Sequence, residues 1–369
     1  MTEALAPGSV IGILGGGQLG KMLAQAAAKL GFTAHVFAPD DDAPARHVAA
    51  HHVKASYDDA EALTAFARGV DVLTYEFESI PADCLDVAEA HAPLRPNRGA
   101  LAATQDRLHE RELLASVGAP VAPWAQVDGD AGLEAAFDTL GGPAGAAGLF
   151  LKTRRQGYDG KGQFRVHARD DLATARRWLG ERGAILEQGV GFDFEFSVIA
   201  ARGVDGACVF YDPPRNTHAE GRLAISRVPA GLTQDEIAGA QRIARSIMEA
   251  LDYYGVLAVE LFSVRGEDGG IRVNEIAPRV HNTGHWTIEA CAISQFENHV
   301  RAIAGWPLGA TARHSDARMV NIIGPDIHGW PGLIGDHPAR SLHVYGKAEA
   351  VPGRKMGHYV DLLPRSRAD

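Results

Sequence analysis

Cysteine is scarce in this sequence. The chain has three, Cys84, Cys208 and Cys291, in 369 residues, and their wide separation excludes both a disulfide framework and a CxxC metal site. No apolar run is long enough to cross a bilayer. The opening MTEALAPGSV lacks the basic start and apolar stretch of a signal peptide. A reducing cytoplasm, with no membrane partner, is the expected setting. Positive charge is in deficit too: 36 Lys and Arg against 46 Asp and Glu leave a formal net charge of −10, which argues against a nucleic-acid partner. Basic residues do gather locally, in KTRRQGYDGKGQFR (152–165) and GRK (353–355), a pattern that fits a small anionic ligand or a solvated face. Internal repeats and low-complexity segments are absent as well.

What the chain does have is a regular alternation of strand and helix patterns. SVIGIL (9–14) predicts a strand, Gln18 to Leu30 a helix, and TAHVFA (33–38) a second strand. EALTAFARG (61–69) predicts a helix leading into the strand VDVLTYEFE (70–78). Such a βαβ series predicts a parallel sheet covered by helices. HAPLRPNRGA (91–100) breaks the pattern with two prolines and marks a boundary. A helix is expected around Thr104–Ser116, then strand LFLK, a glycine-rich loop, strand FRV, helix DLATARRWLG and strand AILEQ. The domain plan is an N-terminal parallel-sheet unit (1–100), a linker helix and small α+β unit (101–190), a larger α+β unit (191–316) and a strand-rich segment (317–369).

GILGGGQLGKM (12–22) admits several readings. Gly15, Gly17 and Gly20 satisfy G-x-G-x-x-G between a strand and a helix, and Asp40 follows the second strand where a dinucleotide fold binds ribose. The P-loop pattern fails at Met22, which stands in place of the magnesium-binding hydroxyl. A tight turn without a ligand satisfies the same spacing. Binding of a phosphate by backbone N–H groups at a helix start is common to the functional versions.

GVLAVELFSV (255–264) and IRVNE (271–275) are β-rich runs joined by RGEDGG. A symmetric connection sets Glu260 directly opposite Glu275, with Cβ atoms about 4.5–5.5 Å apart, where like charges repel. The alternatives are a solvated pair or a slipped register. Glu260 is flanked by VLAV and LF, which predicts a buried strand, and buried paired carboxylates need a shared proton or a cation. Mg²⁺, with Asn274 nearby and phosphate oxygens completing its shell, fits this donor set.

Lys152 ends a strand before the glycine-rich hairpin, which could close over a polyphosphate or simply be a mobile hairpin. AILEQGVGFDFEFSV (184–198) places Glu187 at a strand end and Glu195 on the next strand, an arrangement able to face adenine and ribose. NEIAPRVHNTGHW (274–286) crowds Arg279, His281, Asn282, Thr283 and His285 together. His281 and His285 are four apart, but without HExxH a zinc helix is not expected. WTIEACAISQF predicts one helix with Trp286, Ile288 and Cys291 in the core, and Asp40–Asp42 predicts a solvated loop.

In order, GGGQLGKM, YEFE, QDRL, GYDGKGQ, EQGV, NTH, VELF, NEIAPRVHNTGHWTIEAC, SQFE and GRKMGH resemble the ATP-grasp superfamily and, within it, the N5-carboxyaminoimidazole ribonucleotide synthetases of purine biosynthesis. The resemblance implies an ATP-grasp fold: a Rossmann-like N-terminal domain, a small lid domain and a larger C-terminal α+β domain. It implies that Arg107 and Lys152 contact ATP, and that Gly157, Tyr158, Asp159, Gly160, Lys161, Gly162 and Gln163 cover its phosphates. Glu187, Gln188, Gly189 and Val190 would flank adenine, Glu195 the ribose, and His218 would lie near the ATP. Glu260 and Glu275 would hold Mg²⁺, as a pair of ions, with Asn274 beside them. Gly17, Gln18 and Leu19 would bind the substrate's ribose phosphate, and Glu76 its amine. Arg279, whose guanidinium fork suits a carboxylate-like anion, would hold bicarbonate with His281 and Asn282. Lys355 and Arg354 would bind phosphate or carboxyphosphate. The implied reaction uses ATP and bicarbonate to carboxylate aminoimidazole ribonucleotide through carboxyphosphate, in a cytoplasmic homodimer. A formate-using transformylase of the same superfamily is the nearest alternative, and an NAD-linked oxidoreductase a more distant one.

Overall fold

The computed structural model describes residues 4–143, 147–155, 157, 162–264 and 270–366. Its N-terminal part is the expected βαβ series: β1 (Val10–Leu14), α1 (Gln18–Lys29), β2 (Thr33–Phe37), β3 (His51–Val53), α2 (Ala60–Arg68) and β4 (Val72–Tyr75). The four strands are parallel, in the order β3-β2-β1-β4. Ile11, Ile13, Leu14, Val36, Phe37, Val72 and Leu73 are all buried, the near-continuous apolar run of a sheet covered on both faces. The strand expected over 70–78 stops at Tyr75. Glu76, Phe77 and Glu78 therefore project from a strand's carboxyl end, where ligands collect in α/β sheets.

α3 (Ala82–Glu89), α4 (Arg98–Thr104) and α5 (Arg107–Ser116) follow. The single helix expected around Thr104–Ser116 is thus two. Asp106 separates them, its buried carboxylate accepting from Leu108 N–H at 3.0 Å as the N-cap of α5. A second sheet is built from β5 (Trp124–Val127), β6 (Leu149–Thr153), β7 (Gln163–Val166) and β8 (Ala184–Gln188), with α6 (Gly129–Thr139) and α7 (Leu172–Leu179) between strands. It is antiparallel, in the order β5-β8-β6-β7.

The third sheet has nine strands. In chain order its elements are β9 (Phe194–Arg202), β10 (Cys208–Phe210), β11 (Arg215–Ala219), β12 (Arg222–Val228), α8 (Gln234–Ala250), β13 (Gly255–Val264), β14 (Gly270–Ala277), α9 (Thr287–Ala290), α10 (Gln295–Ile303), β15 (Asp316–Ile323), α11 (Trp330–Gly335), β16 (Ser341–Val344) and β17 (Lys355–Leu363). The main path runs β14-β13-β9-β11-β12-β15-β17-β16, with β10 on β9. The strands beyond residue 317 do not form a sheet of their own, because β15 pairs with β12 and carries β17 and β16 beyond it.

WTIEACAISQF is not one helix. Cys291 turns extended (φ −122°, ψ 150°) after α9, and Ser294 restarts the helix by accepting from Glu297 N–H at 3.2 Å. Nor is Asp40–Asp42 simply solvated: Asp42 accepts from Ala348 N–H at 3.0 and 2.9 Å and from Arg354 at 3.1 Å, tying the first domain to the last segment.

Candidate active site

β13 and β14 form the expected hairpin, and Glu260 pairs with Glu275 across it. The reason differs from a symmetric connection. Leu261 to Val264 pair one residue out of that register, and Asn274 is left over as a bulge between the two halves. A bulge adds local twist and re-aims side chains beside it; here it sits immediately before Glu275, between the two halves of the ladder. The RGEDG stretch of the turn (265–269) lies outside the described residues.

Glu260 accepts from His281 Nε2 at 3.1 Å, and its side chain is 16% exposed. Burial pushes its carboxyl up, but the hydrogen bond and charge of His281, with His218 and Lys355 farther off, outweigh that and hold it at about 2. Glu260 is therefore ionised. Glu275 lies 3.4 Å from Arg107, with 42% of its side chain exposed. Both carboxylates line a cavity of about 540 Å³.

The opposite wall comes from the second sheet and α5. Lys152 on β6 is paired with Glu187 on β8. Glu187 also receives Arg111 Nε at 2.9 Å, a fully buried guanidinium that reaches Asn274 O at 2.7 Å and Glu110 at 3.2 Å. Burial pushes Glu187 up, but Lys152 and Arg111 outweigh it and hold the carboxyl at about 2. Its carboxylate is thus committed to two cations. Gln188 donates to the carbonyls of Leu140 (3.0 Å) and Gly142 (2.7 Å). A Cβ on Gly189 would meet Ala147 at 2.7 Å and Gly148 O at 2.8 Å, so the chain can pass there only as glycine. Phe192 and Phe262 stack at 4.6 Å on the cavity wall. Glu195 is ion-paired with His218, and Gly157, Gln163 and Val190 also line the cavity. Gly162 does not; its carbonyl accepts from Thr153 N–H at 2.9 Å. Tyr158, Asp159, Gly160 and Lys161 lie outside the described residues.

At the third end sits the first glycine loop. Gln18 and Leu19 line the cavity, whereas Gly17 and Glu76 lie behind it. Gly17 N–H donates to Glu76 Oε1 at 2.7 Å, and a Cβ on Gly15 would fall 2.7 Å from the same carboxylate. The loop's glycines thus admit a glutamate, and the N-terminal N–H of α1 already has an anion of the protein's own. Burial raises the Glu76 carboxyl above its usual range; Gly17 N–H, Arg279, Gly20 N–H and Lys347 oppose that rise.

Arg279, His281, Asn282 and Lys355 all reach the cavity. Arg279 is ion-paired to Glu78 at 2.9 Å. Both amide atoms of Asn282 are buried and, among the described residues, have no protein partner, a costly state unless a ligand or water is bound there. Arg354 does not line the cavity; it reaches Asp42 and Glu349 O instead. His285 is fully buried, with Gln295 at 3.3 Å. Arg111, Glu110 and Glu78 escaped the sequence reading. RLHERELL carried a usable signal, since Leu108, Arg111 and Leu114 share helical spacing and put an arginine on the buried face of α5.

Residues 112–296 match the ATP-grasp domain, residues 9–105 the ribonucleotide synthetase preATP-grasp domain, and residues 317–364 the phosphoribosylaminoimidazole carboxylase C-terminal domain. The chain is 46% identical over 365 residues to the N5-carboxyaminoimidazole ribonucleotide synthase of Brucella melitensis, covering 98% of this chain and 99% of that protein. The chain belongs to the N5-carboxyaminoimidazole ribonucleotide synthase family. It is an ATP-grasp ligase by that membership. The solved N5-carboxyaminoimidazole synthetase of Staphylococcus aureus in complex with ADP superposes with a TM-score of 0.91 at 36% identity, covering 98% of this chain and 94% of that one. The Aspergillus clavatus synthase in complex with ADP and 5-aminoimidazole ribonucleotide gives 0.88 at 33% identity, with 97% and 95% covered. The formate-using and NAD-linked alternatives find no support in this family membership.

Proposed function

We propose that this chain carboxylates 5-aminoimidazole ribonucleotide with bicarbonate at the expense of ATP. A bicarbonate oxygen attacks the γ-phosphorus and the bond to ADP breaks, giving carboxyphosphate. The exocyclic amine then attacks the carboxyl carbon, the C–O bond to phosphate breaks, and the amine loses a proton. The supporting observation is the convergence on one cavity of a phosphate-side cation (Lys152), two opposed carboxylates (Glu260, Glu275) and an unpartnered buried amide (Asn282).

Lys152, held by Glu187, and Arg107 serve the nucleotide phosphates; Glu195 and His218 serve its sugar end. Arg279, His281 and Asn282 hold bicarbonate in line, and Lys355 takes the transferred phosphate. Gln18 and Leu19 meet the substrate's ribose phosphate. Glu76, which the resemblance set against the substrate amine, stands behind these residues and holds the loop through Gly17 N–H at 2.7 Å.

Mg²⁺ is part of this reading. No group of three or more His, Cys, Asp and Glu side chains forms a metal cage among the described residues. Two carboxylates beside an amide instead fit a hard cation that takes few protein ligands and completes its shell with phosphate and water. When bound, it would neutralise charge on the transferring phosphoryl group. A cytoplasmic homodimer completes the reading; no helix of the described residues is long and apolar enough to cross a membrane.

The test is ADP release by the purified chain with Mg²⁺, dependent on both bicarbonate and aminoimidazole ribonucleotide. Glu275→Gln should lower turnover by roughly two to three orders of magnitude without changing the melting temperature. Equal turnover with formate and glycinamide ribonucleotide, or full activity of Glu275→Gln, would remove the assignment or the metal role respectively.

A further inference from the structure

The His281 ring of the loop that carries His281 and Asn282 is held from the cavity by Glu260 at 3.1 Å, but the loop's backbone is held elsewhere. It is held from behind by Gln295, the first residue of α10, whose side chain is fully buried. Gln295 Oε1 accepts from His281 N–H at 2.9 Å, while its Nε2 donates to His281 O at 2.6 Å. One side-chain amide thus satisfies both backbone groups of a single residue, as a neighbouring strand would. These two bonds fix which end of the amide is oxygen and which is nitrogen. The second hydrogen on Nε2 then faces His285 Nδ1 at 3.3 Å.

That contact has a chemical consequence. Burial, with the charge of neighbouring histidines, keeps His285 neutral, far below the usual imidazole range. A neutral ring that accepts at Nδ1 must carry its proton on Nε2. His285 follows Asn282 by three residues through a 3₁₀ turn, and residues three apart on such a turn eclipse one another. The Nε2 of His285 has no protein partner among the described residues, and neither does the amide of Asn282.

We infer that Gln295 is the positioning residue of the anion-holding loop, fixing the backbone on both sides of His281 and the Nε2–H tautomer of His285. Gly284 is the other half of the device. A Cβ there would stand 2.6 Å from Gln295 Oε1 and 2.7 Å from its Cδ, so only glycine lets the amide approach. Thr287 closes the arrangement, its hydroxyl donating to Gly284 O at 2.6 Å and accepting from Gln295 N–H at 3.0 Å. The inference rests on the reading that this loop holds bicarbonate.

Steady-state kinetics of the full chain test it. Gln295→Leu should raise the bicarbonate KM on the order of tenfold and lower kcat on the order of a hundredfold, leaving the ATP KM within about twofold. Gly284→Ala should reproduce this pattern more weakly, and should add nothing to Gln295→Ala, where the clash is gone. Nitrogen NMR of the imidazoles should find His285 protonated on Nε2 in the wild type and lose that assignment in Gln295→Leu. The inference is overturned if the ATP and bicarbonate KM values rise together with a lowered melting temperature. A full additive effect of Gly284→Ala on Gln295→Ala, or an unchanged His285 tautomer in Gln295→Leu, overturns it equally. A wild type whose ADP release ignores bicarbonate removes the functional reading instead. Bicarbonate dependence in the wild type with an unchanged bicarbonate KM in Gln295→Leu removes the positioning role alone.

Discussion

Glu110 and Glu187 are both buried and both touch the guanidinium of Arg111, at 3.2 and 2.9 Å. Burial nevertheless raises Glu110 to about 7, with Arg111, Arg107 and the Ile276 N–H only partly offsetting it. Glu187 falls to about 2 because Lys152 joins Arg111 against the same burial penalty. Desolvation acts on both in the same direction and each has two cations, so the hydrogen bonds from both cations to Glu187, and the like charge of Glu275 beside Glu110, decide the outcome. The wall of the cavity built on α5 and the second sheet therefore contains one carboxylate that is fully committed as a counter-ion and one that sits near its titration point.

Breaking the shared partner tests this most severely. Arg111→Met leaves two carboxylates without their common cation, and the urea midpoint should drop by the equivalent of about 3–5 kcal/mol. A loss below about 1 kcal/mol would mean the guanidinium is not what holds the pair. The next effect is smaller and differs in sign with pH. Glu110 has a folded value of about 7 against an ordinary 4.5. Its contribution is thus present below pH 4.5 and lost as pH rises through 7. Glu187, at about 2, contributes above pH 4.5 and loses that contribution as pH falls toward 2. Denaturation at pH 5 and pH 8 should show Glu110→Gln gaining on the wild type by up to about 3 kcal/mol across that interval. Glu187→Gln should show a constant deficit. Parallel pH trends for the two variants would end the comparison. Smallest is Asp42→Ala, a part-exposed tie to Ala348 N and Arg354, expected to cost about 1 kcal/mol by thermal melting.

The contrast also marks how far sequence reading reached. The βαβ alternation and the ladder pair Glu260–Glu275 were legible because strand periodicity and turn chemistry are local. The Asn274 bulge was not, since a one-residue shift leaves no mark in composition and compensated for a shorter turn. Lys152 was legible from its strand end. Its pairing with Glu187, and Arg111 behind both, depend on three separate elements meeting in space. The first glycine loop was legible only in part: its spacing fits a phosphate, but gave no sign that Gly17 N–H is taken by Glu76, which lies some 60 residues on and beyond the next strand but two. Helix ends were the least legible, because Asp106 and Cys291 interrupt patterns that periodicity alone reads as continuous.

The nine-stranded sheet has a consequence for how such a chain can be divided. Family boundaries fall between the ATP-grasp and C-terminal segments, at 296 and 317, as if the pieces were exchangeable parts. The hydrogen bonds disregard that boundary: β15 continues the ladder of β12, and β17, which starts with the cavity residue Lys355, hangs on β15. A graft at the boundary would have to reproduce a strand register as well as a sequence. The last segment is matched as a separate piece, yet its strands belong to the same ladder as those before it.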